Sequence, residues 1–374
     1  STDGTQEYLR ALSQRYSQVR VIFNPKNYGF PGGMNVGLAE AQGDYLLVLN
    51  NDTVVTPGYL SRMIGHILSN PKVGVVGPCT NSISGPQRVP FAAYRDLSDL
   101  NRFSALYSLV HQGEAVPFPR LVGYALLFTR EVLDSIGGFD PSFGIGNFED
   151  DDFCLRAQMA GYQTMIARDV FIHHFGSATF GSNPGGLAAP LVRAWEVFKA
   201  KWNLPMDIPV SEARYDPLEL IRNPANQRNR YVPLVPEFDP DALSNWAATL
   251  YRRGLIRQAV ITLETALSHA PDHIDSHFNM GVLLAEQKQF ERALRHFLRA
   301  VELRPGDWEL LSHLGACVAN LGDFELAAKV LRAALSVAPA KARKELEEVL
   351  RTLPASGVAI EEAKRSKIQE LIAR

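Results

Sequence analysis

Pro271, Pro305 and Pro339 stand 34 residues apart, and the same offset relates Ala259, Ala293 and Ala327, then Ala266, Ala300 and Ala334. Agreement in three registers marks a unit copied along the chain. One such unit is too short to bury a core alone, so the copies must stack on one another. Within each, a small residue (Ala247, Gly281, Gly315) precedes the first alanine by twelve positions, and a bulky one (Leu263, Phe297, Leu331) follows it by four. Small residues let the two helices of a unit cross closely, and the proline cannot continue the second helix into the next. An all-α solenoid of three units follows over residues 240–340.

The arrangement resembles the tetratricopeptide repeat. Stacks of that kind bind peptides or other domains along the face formed by their first helices, so a protein partner is expected here. Position six of each unit is Asn245, Asn279 and His313; the resemblance makes Asn245 and Asn279 candidates for holding a peptide backbone, although asparagine is common there in such repeats. Residues 341–374 carry eight basic and six acidic side chains, with Leu346, Val349 and Leu350 at helical spacing, and read as a polar capping helix.

The first two hundred residues follow another rule. Aliphatic runs at Val19–Phe23, Tyr45–Leu49 and Val73–Val76 read as strands, and amphipathic stretches at Glu7–Tyr16 and Tyr59–Ser69 as helices. Alternation of this kind predicts a layered α/β domain over residues 1–202. Between the two domains, Pro205, Pro209, Pro217, Pro224, Pro233, Pro236 and Pro240 interrupt any helix, so residues 203–239 read as a linker or a wrapping segment.

The 374 residues are 46% hydrophobic, enough for two packed cores, and the formal charge of -2 supplies no global field for nucleic acid. Cys79, Cys154 and Cys317 are scattered and odd in number, which suits a reducing compartment. No run reaches the roughly 18 to 20 apolar residues that a membrane helix needs. These features predict a cytoplasmic protein, free or peripheral to the inner face of the membrane.

Three clusters carry chemistry. The strand Tyr45–Leu49 stops at Asn50-Asn51-Asp52-Thr53, and open α/β sheets bind ligands at that end of their strands. Asp52 offers a hard oxygen for Mg or Mn, although the same tetrapeptide would serve as a plain turn. Phe148-Glu149-Asp150-Asp151-Asp152 packs four carboxylates at a helix start, where one or two would suffice for capping. Phe171-Ile172-His173-His174-Phe175-Gly176-Ser177 ends a strand in two imidazoles, each a ligand type or a packing residue.

At these residues the first domain resembles a family 2 glycosyltransferase of the GT-A fold, close to the rhamnosyltransferase-like branch. Ser1-Thr2-Asp3-Gly4-Thr5 is similar to the end of the family's Asp-Asn-Gly-Ser-x-Asp-Gly-Thr segment. Asn27-Tyr28-Gly29-Phe30-Pro31-Gly32-Gly33-Met34-Asn35 is similar to its Asn-x-Gly-Phe-x-x-Gly-x-Asn. Asn50-Asn51-Asp52 falls at the Asp-x-Asp metal motif, with Asn50 in place of the first Asp. Gly137-Gly138-Phe139-Asp140, Glu149-Asp150 and a closing Phe198, Lys201 and Trp202 match in order.

The resemblance implies a metal-dependent inverting transferase that moves a sugar from a nucleotide-sugar donor to a glycan, lipid-linked or protein acceptor. Asp52 and His174 would hold a divalent metal, Mg or Mn. Asp150, with Glu149 beside it, would act as general base, and Asp3, Asn27, Gly33, Asn35, Asn50, Asn51 and Asp52 would line the donor site. The match begins inside a motif, which implies a strand and a helix ahead of Ser1 and predicts weak donor binding by residues 1–374 alone. The rival reading is a transferase-like domain without activity in a repeat scaffold that binds proteins.

Overall fold

The computed structural model describes residues 3–176 and 188–373, so Ser1, Thr2 and Ser177 of the motifs lie outside the described residues. Two compact units divide the chain, Ser1–Glu237 and Phe238–Arg374.

The first unit opens with helices α1 (Thr5–Arg15) and α2 (Gly29–Glu40), strands β1 (Tyr45–Leu49) and β2 (Thr53–Val54), helix α3 (Tyr59–Ser69) and strand β3 (Val73–Cys79). Helix α4 (Leu100–Val110), strands β4 (Ala115–Pro117) and β5 (Ala125–Thr129), helices α5 (Arg130–Ile136) and α6 (Glu149–Met159) and strands β6 (Gln163–Phe171) and β7 (His173–His174) follow. Helices α7 (Ala188–Trp202) and α8 (Pro217–Arg222) complete it. The main sheet has the order β1-β5-β3-β6-β4, with β3 parallel to β6 and the other pairs antiparallel. It is therefore mixed, and its central strands β3 and β5 are apolar on both faces, as strands covered on both sides must be. A separate ribbon pairs β2 with β7, setting Thr53 opposite His174.

Val19–Phe23, expected as a strand, is extended but unpaired among the described residues. Apolar side chains alone do not make a strand; a ladder partner must satisfy the backbone, and none lies alongside. Ile22 and Phe23 are left exposed, with Arg10 stacked over the Phe23 ring. The outer edge of β1 is likewise unpaired among the described residues.

Residues 203–237 wrap the first unit and are not a free linker. Leu220, Tyr231, Val232, Leu234 and Val235 are buried, and Gly138 N donates to Val232 O at 3.0 Å. The prolines start short helical turns and interrupt longer ones, Pro217 opening α8, and spare the segment backbone donors it could not satisfy. Buried Asn226 ties it down, donating to the carbonyls of Trp202 (3.2 Å) and Leu220 (2.9 Å).

The second unit is entirely helical: α9 (Pro240–Arg252), α10 (Ile256–His269), α11 (Ile274–Glu286), α12 (Phe290–Leu303), α13 (Trp308–Asn320), α14 (Phe324–Val337), α15 (Ala340–Thr352) and α16 (Glu362–Ala373). Aspartates at 239, 307 and 323 cap α9, α13 and α14 with their side chains. The small residues of the repeat sit at the helix crossings. A Cβ on Gly281 would stand 2.6 Å from the Phe297 ring, and one on Gly315 2.7 Å from Leu331 Cγ. Gly281→Leu should therefore cost about 1–3 kcal/mol or more through overpacking, read as a lower urea midpoint of the repeat unit by circular dichroism.

The tail forms two helices, not a single capping one. α16 returns along α14 and α12, burying Ile368 and Leu371 and pairing Arg365 with Glu325 at 2.9 Å. The break falls at Pro354, where a helix could not continue.

Candidate functional site

The loop after β1 and the β2–β7 ribbon bring two separated sequence motifs together. His174 Nε2 lies 3.2 Å from Asp52 Oδ1, and both side chains are largely buried. Phe175 N donates to Asp52 O at 2.9 Å, fixing the backbone around the pair. His174 Nδ1 lies 2.8 Å from Ser82 O, a group that can only accept, so Nδ1 carries a proton and Nε2 is the ring atom turned toward Asp52. Asn81 locks the backbone of His174 from both sides: its Nδ2 donates to His174 O (3.0 Å), and its Oδ1 accepts from His174 N (2.9 Å). His173 points away to Tyr94, whose hydroxyl meets its Nδ1. Asn51 is exposed, whereas Asn50 Oδ1 is buried with no hydrogen-bond partner among the described residues.

The four acids at the start of α6 divide by environment. Asp150 Oδ2 accepts from Gly123 N (2.7 Å) and Oδ1 from Asp151 N (2.9 Å). Tyr124, the next residue after Gly123, stacks its ring on His174 (centroids 5.2 Å apart, 25° between planes), and its carbonyl accepts from Asn50 N at 2.9 Å. Gly123 thus bonds Asp150, and Tyr124 next to it touches His174 and Asn50. Burial, and then the charge of Asp150, push Glu149 well above the carboxylate range, and its Oε2 has no partner.

Asp151 is pushed up to about 7 by burial and by Asp150, against the pull of Arg120, whose Nε stands 2.7 Å away. Tyr215 of the wrapping segment donates its hydroxyl to the same oxygen. Asp152 faces inward: Arg156 Nε (2.8 Å), Lys201 Nζ (2.7 Å) and Trp202 Nε1 (3.1 Å) converge on it. Lys201 also reaches Asp140 at 2.5 Å; burial opposes ionisation there, but Lys201 and Ser142 hold that carboxyl below its ordinary range. The Lys201 and Trp202 motif is therefore a tether of α7 to α6.

Several expected donor-site residues also have roles in the fold. Asn35 is fully buried; its Nδ2 donates to the carbonyls of Phe139 (2.7 Å) and Val235 (2.8 Å), and its Oδ1 accepts from Phe139 N (2.8 Å). No polar group of that side chain is left for a ligand. Asn27 caps Gly29 N at 2.9 Å, and exposed Asp3 accepts from Thr5 N at 3.2 Å, both local turn roles. A Cβ on Gly33 would meet nothing within 4 Å. The glycines that geometry demands are its neighbours: Gly29, at φ +71, where a Cβ would sit 1.9 Å from Gly144 O, and Gly32, 2.2 Å from Pro236 O. In the repeats, Asn279 Nδ2 donates to Ser244 Oγ at 2.8 Å, whereas Asn245 is exposed, so the two asparagines do not form equivalent rungs. Ser82, Asn81, Gly123, Arg120 and Tyr215 carried no sequence signal, because each acts through position and not through a motif.

Both parts of the chain resemble known families. The family model of Glycosyl transferase family 2 matches residues 1–134, and a Tetratricopeptide repeat model matches residues 245–307 and 278–344. Uncharacterized proteins of Mycobacterium tuberculosis and Mycobacterium bovis are 32% identical over 177 residues, which is 46% of this chain and 63% of theirs. A Pre-mycofactocin glycosyltransferase of Mycobacterium tuberculosis is 29% identical over 153 residues, 39% of this chain and 30% of that protein. Among solved structures, a mannosyltransferase from Pyrobaculum calidifontis in complex with GDP-Man and Mn2+ aligns over 86% of this chain and 75% of its own. That alignment has 18% identity and a TM-score of 0.36, too slight a likeness to bear on the chemistry. The chain thus joins a glycosyl transferase family 2 domain at its N-terminus to tetratricopeptide repeats at its C-terminus.

Proposed function

We propose that the first unit transfers a sugar from a nucleotide-sugar donor to an acceptor hydroxyl, with Asp52 and His174 holding a divalent metal and Asp150 acting as general base. The observation that carries this reading is the Asp52–His174 pair. Asp52 Oδ1 and His174 Nε2 stand 3.2 Å apart, close enough for one ion to take both, and Nδ1 is held by Ser82 O, the second contact that orients a metal-binding imidazole. Asn50 Oδ1, two residues before Asp52, is a second oxygen, buried and without a hydrogen-bond partner among the described residues. One nitrogen and hard oxygens suit Mn or Mg, and such an ion, when bound, neutralises charge on a diphosphate leaving group.

The protein's own residues do the rest. Asp150, fixed by two backbone N–H groups, takes the acceptor hydroxyl proton as the new glycosidic bond forms, a single displacement that inverts the anomeric carbon. Burial, and then the charge of Asp150, push the Glu149 carboxyl up, so the base role is given to its neighbour. The repeats recruit the acceptor or a partner protein; glycan, lipid-linked and protein acceptors all present the hydroxyl this chemistry needs. Asp52→Ala should weaken Mn2+-dependent binding of a nucleotide sugar on the order of 10–100-fold, measured by titration calorimetry across a panel of nucleotide sugars. Binding by the Asp52→Ala protein equal to that of the parent would remove the metal assignment.

A further inference from the structure

The repeat unit gathers three metal-ligating side chains that sugar transfer does not use. Asp241 lies in the first turn of α9, His273 is the N-cap of α11, and Asp275 lies in the first turn of α11. One ligand atom of each stands within 4.8 Å of the other two, and His273 Nε2 is 2.9 Å from Asp241 Oδ1. The period brings them together: Asp241 and Asp275 are 34 residues apart, so consecutive units present a carboxylate at the same place, beside the imidazole that caps α11. Both carboxylates are exposed, whereas the His273 side chain is largely buried.

The next junction of the stack is the comparison. Asp275, Asp307 and Glu309 stand there, 34 residues beyond Asp241, His273 and Asp275, and Arg304 supplies a cation. Its Nη2 is 3.9 Å from Asp275 and its Nη1 3.6 Å from Asp307. At the first junction the place of Arg304 is taken by Ala270 and that of Asp307 by His273. The exchange removes the built-in cation and adds a nitrogen of the kind that zinc and its neighbours prefer. His273 Nδ1 accepts from Ser276 N at 3.3 Å and lies 2.8 Å from Ser276 Oγ, a hydroxyl able to accept or donate. With Nε2 on an ion, Nδ1 carries the ring proton and donates it to that hydroxyl, the outer contact that orients a metal-binding imidazole, and the longer bond from Ser276 N is given up. Ser276 is fully buried, so this contact is fixed in place.

We propose that Asp241, His273 and Asp275 bind a divalent cation of the zinc class, through Nε2 and one oxygen of each carboxylate, with water in the fourth position. One nitrogen and two carboxylates suit zinc, whereas calcium takes roughly six to eight oxygens. Arg304 competes for Asp275, but an exposed pair 3.9 Å apart is worth little. The ion joins the starts of α9 and α11, the first helices of two consecutive units, which pack on each other. The site belongs to the repeat unit alone and is independent of the sugar-transfer chemistry.

The test is titration calorimetry of the full chain with zinc chloride, in a D52A background so that the metal pair of the first unit does not contribute. A single zinc ion per chain is expected. H273S keeps a good N-cap residue, and D241N/D275N keeps both side-chain shapes, so both variants should fold. Each should bind zinc on the order of 10–100-fold more weakly or worse. Zinc should also raise the melting temperature of the repeat unit in the D52A chain and leave that of H273S unchanged. No zinc uptake by the D52A chain, or equal uptake by H273S, overturns the proposal. So does uptake that H273S keeps and H277Q loses, which would give the ion to the His277–His296 pair, whose Nδ1 atoms are 3.1 Å apart.

Discussion

Asp150→Asn should lower sugar transfer by about 10²–10⁴-fold, the span of a lost general base, while leaving Mn2+-dependent donor binding within a few fold. The two readouts separate because Asp150 is bonded to Gly123 N, whereas His174 of the metal pair is met by the ring of the next residue, Tyr124. The substitution preserves volume but not donor–acceptor balance: an amide can accept from only one of Gly123 N and Asp151 N, leaving one buried donor unmet at about 1–3 kcal/mol. A melting curve must accompany the rate, so that partial unfolding is not mistaken for lost chemistry. Single-turnover transfer from the nucleotide sugar that the calorimetric panel identifies is the decisive measurement. Turnover in Asp150→Asn at the parental rate would assign the base elsewhere, and Asp151, held by Arg120 and Tyr215, would be the next residue to test.

What the sequence made legible and what it hid divide along a physical line. The repeat was readable because its period places small and bulky residues in a fixed register, and the Gly281–Phe297 and Gly315–Leu331 crossings are that register in space. Strands β1 and β3 and helix α3 were readable from apolar spacing. Val19–Phe23 was misread because pairing, a nonlocal property, decides whether an extended run becomes a strand. Asn35 was misread for a related reason: a polar residue inside a motif can serve ligand or fold, and only its three backbone partners, at Phe139 and Val235, decide between them. The converse holds for Ser82, whose contribution is a carbonyl oxygen, a group that every residue has.

The acid run illustrates the same division within four consecutive residues, and it yields the second large effect. Asp152→Ala should destabilise the first unit by about 3–5 kcal/mol, because it strands a buried guanidinium. Arg156 and Asp152 are both fully buried, and removal of the carboxylate leaves the carbonyls of Ile136 (2.6 Å) and Gly138 (2.7 Å) on Nη1 and Nη2 but leaves Nε and the charge unmet. Trp202 loses its acceptor as well, while Lys201 keeps Asp140. For a unit of this size the loss corresponds to a fall in Tm on the order of 6–20 °C, readable by scanning calorimetry. Asp152→Asn keeps an acceptor and the shape but not the charge, so it should fall between the parent and Asp152→Ala. The double variant D152A/R156M removes both charges and should be less destabilised than the sum of D152A and R156M; additive losses would mean that the two side chains are not coupled. A fold lost before chemistry in Asp152 variants, set beside chemistry lost with the fold intact in Asp150→Asn, would separate the structural acid of this run from the reacting one.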